Sequence, residues 1–547
     1  MKLFKKDQVF MSDWLKLKPY QNPNLKYDNF YLNLCSVVYE ILKSEEEFFD
    51  DKEMEREQIK QLACVIVSYY EDFICEIGIW NAFTEHNKIT IGEYIPFYDT
   101  RDYDPEYMNW QDIAYLIWHY TTKWYDEGVH SADYRPFVEL GTEIFEILEE
   151  YIDESPAHGF YDKLFTIEDE SNYFEFKSTL NWFSTEGYTM GIEFGNNIKL
   201  QLEELSFKDR LNPHFGAMVY QFKEDYLCRK RSSFGALNAP EWLAMVCRCS
   251  ESKKLEIKEL SKRHSKHFVY EGAGSKDFFK FRHFVTEREY LVYRDSFQAN
   301  VNRIKEGDIV EMHLVQWDKK WWLSGAMISY SQKSSEKSLK ELKMKPIENQ
   351  WILDDEKLAK SRASAKEMET AFLQLYGSRL KLCNSVEKLQ ATLEDVSEQN
   401  AKNAGVHKAF LKSKSENRVA SISIIASLKK EFGNQTDLAV FFLKEQGTQM
   451  LVGAKETIDA LKAKRLSDED STELFRSLSN GYDPQVAQYF LENYPTKNVK
   501  IPGSSRINAL KNMPYFWRFN SPSEFHEAYP LYTIASDEQI EELKKLK

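Results

Sequence analysis

Four groups of residues in this chain of 547 residues have types and spacings that could do chemistry. Cys247-x-Cys249 followed by His264-x-x-His267 offers four side chains of the kinds that zinc accepts. The Cys pair is more closely spaced than in ordinary zinc sites, and it sits at the end of an apolar helical stretch. Buried thiols beside a basic turn explain the same residues, so the pattern predicts no metal and no cofactor. The acidic loop Asp99–Glu106 invites a calcium reading. An EF-hand counted from Asp102 needs glycine where Tyr107 stands and a bidentate glutamate where Ile113 stands, which excludes it. An irregular cation site stays open beside the plainer account, a turn capping the next helix with Asn109 as N-cap. Gly272-Ala-Gly274-Ser-Lys276 is too short for a phosphate loop and joins two strand-like runs, so a hairpin turn is expected. His86, after Glu85, and His119, within Ile117-Trp118-His119-Tyr120, could each act as general base among many carboxylates. Structural histidines among aromatics fit as well, and no triad partner stands at fixed spacing. No catalytic residue is assigned.

The better binding candidate is basic. Lys253, Lys254, Lys258, Lys262, Arg263, Lys266, Lys276, Lys280, Arg282 and Arg288 fall within 36 residues. Phe279, Phe281, Tyr290, Tyr293, Trp317, Trp321 and Trp322 are interleaved or follow. Small barrels bind single strands by stacking bases on aromatics while cations neutralise phosphates. Lys276, Lys280, Arg282, Arg288, Trp317, Trp321 and Trp322 are therefore the expected contacts to nucleic acid or another partner. The competing account uses the same aromatics to fill the barrel, with acidic neighbours diluting its field.

The elements that position these residues follow from hydrophobic period. Helices are predicted from about Asn29, from Glu57, from Trp110 and over Val138–Ile152, the last with Glu139, Glu143, Glu146, Glu149 and Glu150 on a wet face. Pro240 opens another. From about His267 the period changes to short β-rich runs: Phe268–Tyr270, Phe278–Phe284, Glu289–Tyr293, Ile309–Trp317 and Trp321–Ile328. From Ala365 to Val396 the spacing predicts a long helix with a heptad seam; its weakening at Gly377 and Arg379 favours packing inside a hairpin over an intermolecular coiled coil. Strands at Asp437–Leu443 and Gln449–Val452 and helices at Ile458–Lys464, Asp470–Leu478 and Pro484–Asn493 complete the tail. The fold class is multidomain α+β. An acidic helical domain (1–205) leads through a mixed helical connection (206–254) to a small β-barrel-like domain (255–330). A linker (331–360) and a helix-rich α+β domain (361–547) follow.

Composition supports globular folding, with 36 Phe, 31 Tyr and 12 Trp against only 21 Gly and 15 Pro. Seven scattered cysteines form no disulfide framework and predict reduced thiols in a cytoplasm. The first residues lack a signal-peptide core, and no apolar run approaches a membrane span. The net charge of −15 is unevenly divided. Residues 1–200 hold 17 Lys and Arg against 39 Asp and Glu, residues 201–345 hold 27 against 20, and the remainder balances. The plain account is solvated surface of differing composition; the sharper ones are that the two charged parts dock on each other or face different partners.

Several stretches carry a family resemblance: Asp13-Trp-Leu-Lys-Leu-Lys-Pro-Tyr, Tyr69-Tyr-Glu-Asp, Tyr94-Ile-Pro-Phe-Tyr-Asp, Asp112-Ile-Ala-Tyr-Leu-Ile-Trp-His-Tyr and Trp321-Trp-Leu-Ser-Gly. With them the chain resembles a bacterial family known as domain-of-unknown-function 3843. The resemblance implies a bacterial cytoplasmic protein and brings no activity, cofactor or catalytic residue. The leading expectation is a non-enzymatic interaction or scaffold protein with a protein partner. The alternatives are nucleic-acid or ribosome association through residues 253–322, and a hydrolase in the helical domain using His86 or His119 with carboxylates. No membrane partner is expected.

Overall fold

The computed structural model describes residues 8–45, 55–124, 131–206, 210–211, 215–284, 287–297, 304–330, 355–408, 411, 428–433, 435–502, 504 and 507–525. Most of the expected linker, at 331–354, and the Lys266 side chain lie outside these.

Helices dominate the first half because apolar residues recur at helical spacing. Leu25–Ser44 and Arg56–Ile74 pack side by side, and Trp110–Trp124 runs through the middle of the body with Ile113–Thr122 wholly buried. Against it lies Arg135–Glu149, which buries Phe137, Leu140, Ile144 and Leu148 and leaves the five glutamates of its other face exposed. The two helices touch at Gly141, where an added Cβ would stand 2.6 Å from that of Ala114. These five glutamates are thus the wet side of an ordinary amphipathic helix. Asn109 precedes the central helix, but its amide braces the preceding loop, donating to Asp104 O at 2.8 Å and Tyr107 O at 2.6 Å.

Five strands then close into a barrel: β1 (His264–Ala273), β2 (Phe278–His283), β3 (Glu289–Tyr293), β4 (Ile309–Trp317) and β5 (Lys320–Tyr330), in the order β1-β2-β3-β5-β4. All neighbours are antiparallel except β3 and β5, which meet in parallel at Val292 and Trp321. Alternation puts Phe268, Phe281, Tyr290, Val292, Val310, Met312, Leu314 and Leu323 inside, a core of the barrel's own. The glycine-rich segment after β1 is the expected hairpin turn, with Gly274 N donating to Phe278 O at 3.0 Å.

The C-terminal part is α+β, but its heptad seam does not form one helix. Asp355–Tyr376 stops at Gly377, whose φ of +65° ends the helix, and Leu380–Cys383 enters a sheet as β6 before Val386–Asn403 resumes. The two helices pack against each other over Phe372, Val386, Leu389 and Val396, as in a hairpin with a strand in its bend. β6 pairs with β7 (Leu438–Leu443), which pairs with β8 (Gly447–Val452). A final helix, Ala509–Asn520, returns to the first half of the chain. Its Tyr515 and Phe519 rings lie 5.1 Å from Phe97 and 5.0 Å from Trp118, and Lys511 pairs with Glu93 at 2.6 Å. One hydrophobic core therefore runs from Val9 to Phe519.

Candidate functional site

The barrel turns one wall to the helices and the opposite wall to solvent. The inner wall is the end of β4 and the start of β5. Trp317 is fully buried, stacks on Phe176 at 4.9 Å with a 19° interplanar angle, and donates its indole N–H to Ser171 O at 2.7 Å. Trp322, also buried, donates to Trp317 O at 3.0 Å and meets Phe174 edge-on at 5.7 Å. Behind them lies a buried polar knot. Glu224 accepts from Ser324 at 2.7 Å and pairs with Lys177 at 2.5 Å and with Arg263 at 3.8 Å. Burial alone would raise the Glu224 pKa, and the Arg263 and Lys177 cations outweigh it, so the carboxyl titrates below its ordinary value. Gly325, at φ +96°, lets the strand pass Glu224: an added Cβ would stand 2.8 Å from Cγ of Glu224.

The acidic and basic parts are therefore in contact, mainly through aromatic packing. The buried ion pair across the seam runs against the bulk charge, since Lys177 comes from the acidic part and Glu224 from the basic one, whereas the surface pair Arg248–Asp162 follows it.

The outer wall is the β2–β3 face. Phe278, Lys280 and Arg282 stand opposite Tyr293, Leu291 and Glu289. Lys280 pairs with Glu289 at 2.7 Å and Glu271 at 3.2 Å; Arg282 pairs with Glu271 at 2.6 Å and also with Glu287. The Arg282 hydrogen bond holds the Glu271 pKa below its ordinary value. Leu291 is 51% exposed, and the Phe278 and Tyr293 rings adjoin at 5.9 Å. Lys276 is exposed at the tip of the β1–β2 turn. The Arg288 guanidinium lies 5.4 Å from the Tyr290 ring and 5.8 Å from that of Trp321, which is half-buried between Tyr290 and His264.

The seven residues singled out by sequence are thus divided. Lys276, Lys280, Arg282 and Arg288 lie on or beside the outer wall, Trp321 closes one edge, and Trp317 and Trp322 are inside the seam. Leu291, Phe278 and the three glutamates complete the outer face. The strand alternation of β2 and β3 carries the signal that could have found them.

The zinc candidates are not gathered. Among the described residues no group of three or more His, Cys, Asp and Glu side chains could hold a metal ion. Cys247 is buried after the Ala239–Val246 helix, and burial pushes its thiol pKa up. His264 points instead to Tyr290, with Nδ1 2.7 Å from the hydroxyl, and burial, helped by Arg288, lowers its pKa to about 3. His267 lies further along β1, opposite Glu311.

The two histidines of the helical part converge on one tight turn, where Arg231 bridges to Asn238 and Gly235 and Ala236 take positive φ of 70° and 57°. His86 Nε2 lies 3.0 Å from Gly235 O. His119 is fully buried, stacked on Phe234 at 3.8 Å, with Nδ1 3.2 Å from Tyr115 Oη and Nε2 3.0 Å from Ser233 Oγ. The Ser233 hydroxyl also bonds the Glu193 carboxylate. Serine, histidine and glutamate therefore meet, but Ser233 is wholly buried with both neighbours in place, which leaves its oxygen no open side for a substrate. Neither Ser233 nor Glu193 was legible beforehand, since they stand 114 and 74 residues from His119.

No curated protein and no solved structure matches the chain. The family model described as a protein of unknown function (DUF3843) matches residues 8–266, from the first helices into β1 of the barrel.

Proposed function

We propose that the protein works by binding rather than by catalysing a reaction, and that the β2–β3 face of its barrel receives a protein partner in a bacterial cytoplasm. The observation that supports this is the pairing on that face. Lys280 and Arg282 already bond three glutamates, so a phosphate backbone would have to displace carboxylates to reach either cation. A protein surface can meet mixed charge directly, and the exposed Leu291 beside Phe278 and Tyr293 supplies an apolar centre within a polar rim. The seam behind the barrel holds that face rigid, which lowers the ordering cost of association. Affinity capture from the native host, with half of the sample treated with nuclease, tests the reading. A protein retained in both halves and lost on Leu291→Glu supports it; material released by nuclease counts against it.

One observation favours nucleic acid as a second reading. Five-stranded Greek-key barrels bind oligonucleotides on strands 2 and 3, and Lys276 and Arg288 border that same face here. This is an argument from fold alone. It requires binding that weakens steeply with salt and that Lys280→Glu with Arg282→Glu abolishes.

A further inference from the structure

The Ser233 turn has a second consequence, independent of the barrel. Where the chain enters it, at Lys230 and Arg231, it forms one wall of a cavity of about 300 Å3. The end of the Trp110–Trp124 helix, the first turns of Gly191–Glu204 and the chain just after Ala509–Asn520 form the others. That volume is at the small end of ligand cavities.

Four charged side chains line this space: Arg231 is paired with Glu241 at 2.6 Å, Lys230 is exposed, and Glu193 and Lys123, of opposite sign, are held by hydrogen bonds. The Glu193 carboxylate accepts the Ser233 backbone N–H at 3.0 and 3.2 Å and the Ser233 hydroxyl. The Lys123 ammonium donates to Phe519 O at 2.7 Å and lies 4.2 Å from the Phe519 ring centre. Neither forms an ion pair with an oppositely charged Asp, Glu, Lys or Arg among the described residues. Lys123 feels the Glu193 charge from beyond ion-pair distance, and the ring nitrogen nearest Glu193 is Nε2 of His119 at 4.0 Å. Burial keeps that imidazole pKa well below its ordinary value, so it is neutral at pH 7. With Arg231 paired to Glu241, the cavity presents a held carboxylate and a held ammonium that form no ion pair with each other, and the exposed Lys230 beside them. Tyr120 and Ile192 add apolar wall beside them.

A ligand complementary to this arrangement carries one positive and one negative group at short separation. A dianion meets Glu193 unfavourably, a dication meets Lys123 unfavourably, and a neutral polyol leaves both charges without a counter-charge. We propose that this cavity binds a small zwitterion of the α-amino-acid class, its ammonium on Glu193, its carboxylate on Lys123 and its side chain against Tyr120 and Ile192.

The test is calorimetry and thermal melting of the full chain with each proteinogenic α-amino acid at about 5 mM. One or a few should bind and raise the melting temperature, because a ligand of the folded state stabilises it by mass action. Glu193→Gln and Lys123→Met should each weaken that binding about tenfold or more, which is about 1.4 kcal/mol. The decarboxylated amine and the deaminated acid of the same ligand should lose at least as much. Melting of each variant without ligand separates lost binding from lost fold, and the two analogues keep the test intact if a variant does not fold. The proposal is overturned if no amino acid binds, if a folded variant binds as tightly as the wild type, or if either analogue does.

Discussion

Removing Trp317 should detach the barrel from the helices without unfolding the barrel. Trp317 is fully buried, stacked on Phe176 and bonded to Ser171 O, while the barrel interior packs around Phe268, Phe281, Tyr290 and Val310 without it. Truncating a buried tryptophan to alanine costs about 3–5 kcal/mol, which includes the cavity left behind. The lost indole hydrogen bond adds about 1 kcal/mol, and the ring stack accounts for about 0.5–1.5 kcal/mol beyond area. These contributions overlap, so Trp317→Ala should cost about 4–5 kcal/mol in urea denaturation. Hydrogen exchange read by mass spectrometry gives the location. Amides of the Tyr173–Thr185 helix and of the β4–β5 turn should exchange about a thousandfold faster, and those of β2 and β3 much less so. A double-mutant cycle with Phe176→Ala should return a coupling of about 0.5–1.5 kcal/mol. A cost below about 1 kcal/mol with no coupling, or equal acceleration throughout the barrel, would refute the seam as its anchor.

Two further changes probe the same framework. Gly325→Ala should cost about 1–3 kcal/mol, because φ of +96° strains any L residue and the new Cβ meets Glu224; a neutral effect in thermal melting would show that the strand moves freely. Burial raises the Asp112 pKa from 3.8 to about 6, against the hydrogen bonds of Tyr69 and Tyr103 that lower it. The folded form therefore takes up the proton first, and this stabilisation is complete below about pH 4 and lost as pH rises through about 6, a change of about 3 kcal/mol. Asp112→Asn should flatten stability against pH by that amount over this window, and an unchanged slope would contradict the assignment.

Much of this architecture was legible because it depends on local pattern. Pro484–Asn493 and the strands β2 to β4 lie where their period and turn residues put them. The heptad from Ala365 misled because spacing alone cannot see that Gly377 ends a helix and that Leu380–Cys383 has a strand, β7, to pair with. The Ala509–Asn520 helix, with Pro514 inside it, gave no clean helical signal and is held by packing on the first half of the chain. At the candidate face, aromatic type predicted burial and binding equally well. Trp317 and Trp322 went to the seam because Phe174, Phe176 and Ser171, far away in sequence, supply the matching surface. The charge division also pointed only to composition, since the buried pair across the seam joins a lysine of the acidic part to a glutamate of the basic part.

The most direct measurement of the central claim is photo-crosslinking from position 291 inside the native host. A photoreactive residue in place of Leu291, on the exposed β2–β3 face, should give a discrete protein adduct that resists nuclease. The same residue in place of Glu146, on the wet face of the Arg135–Glu149 helix, should not give it. A nuclease-sensitive adduct at position 291, the same adducts from both positions, or none from position 291 would contradict a protein-binding barrel face.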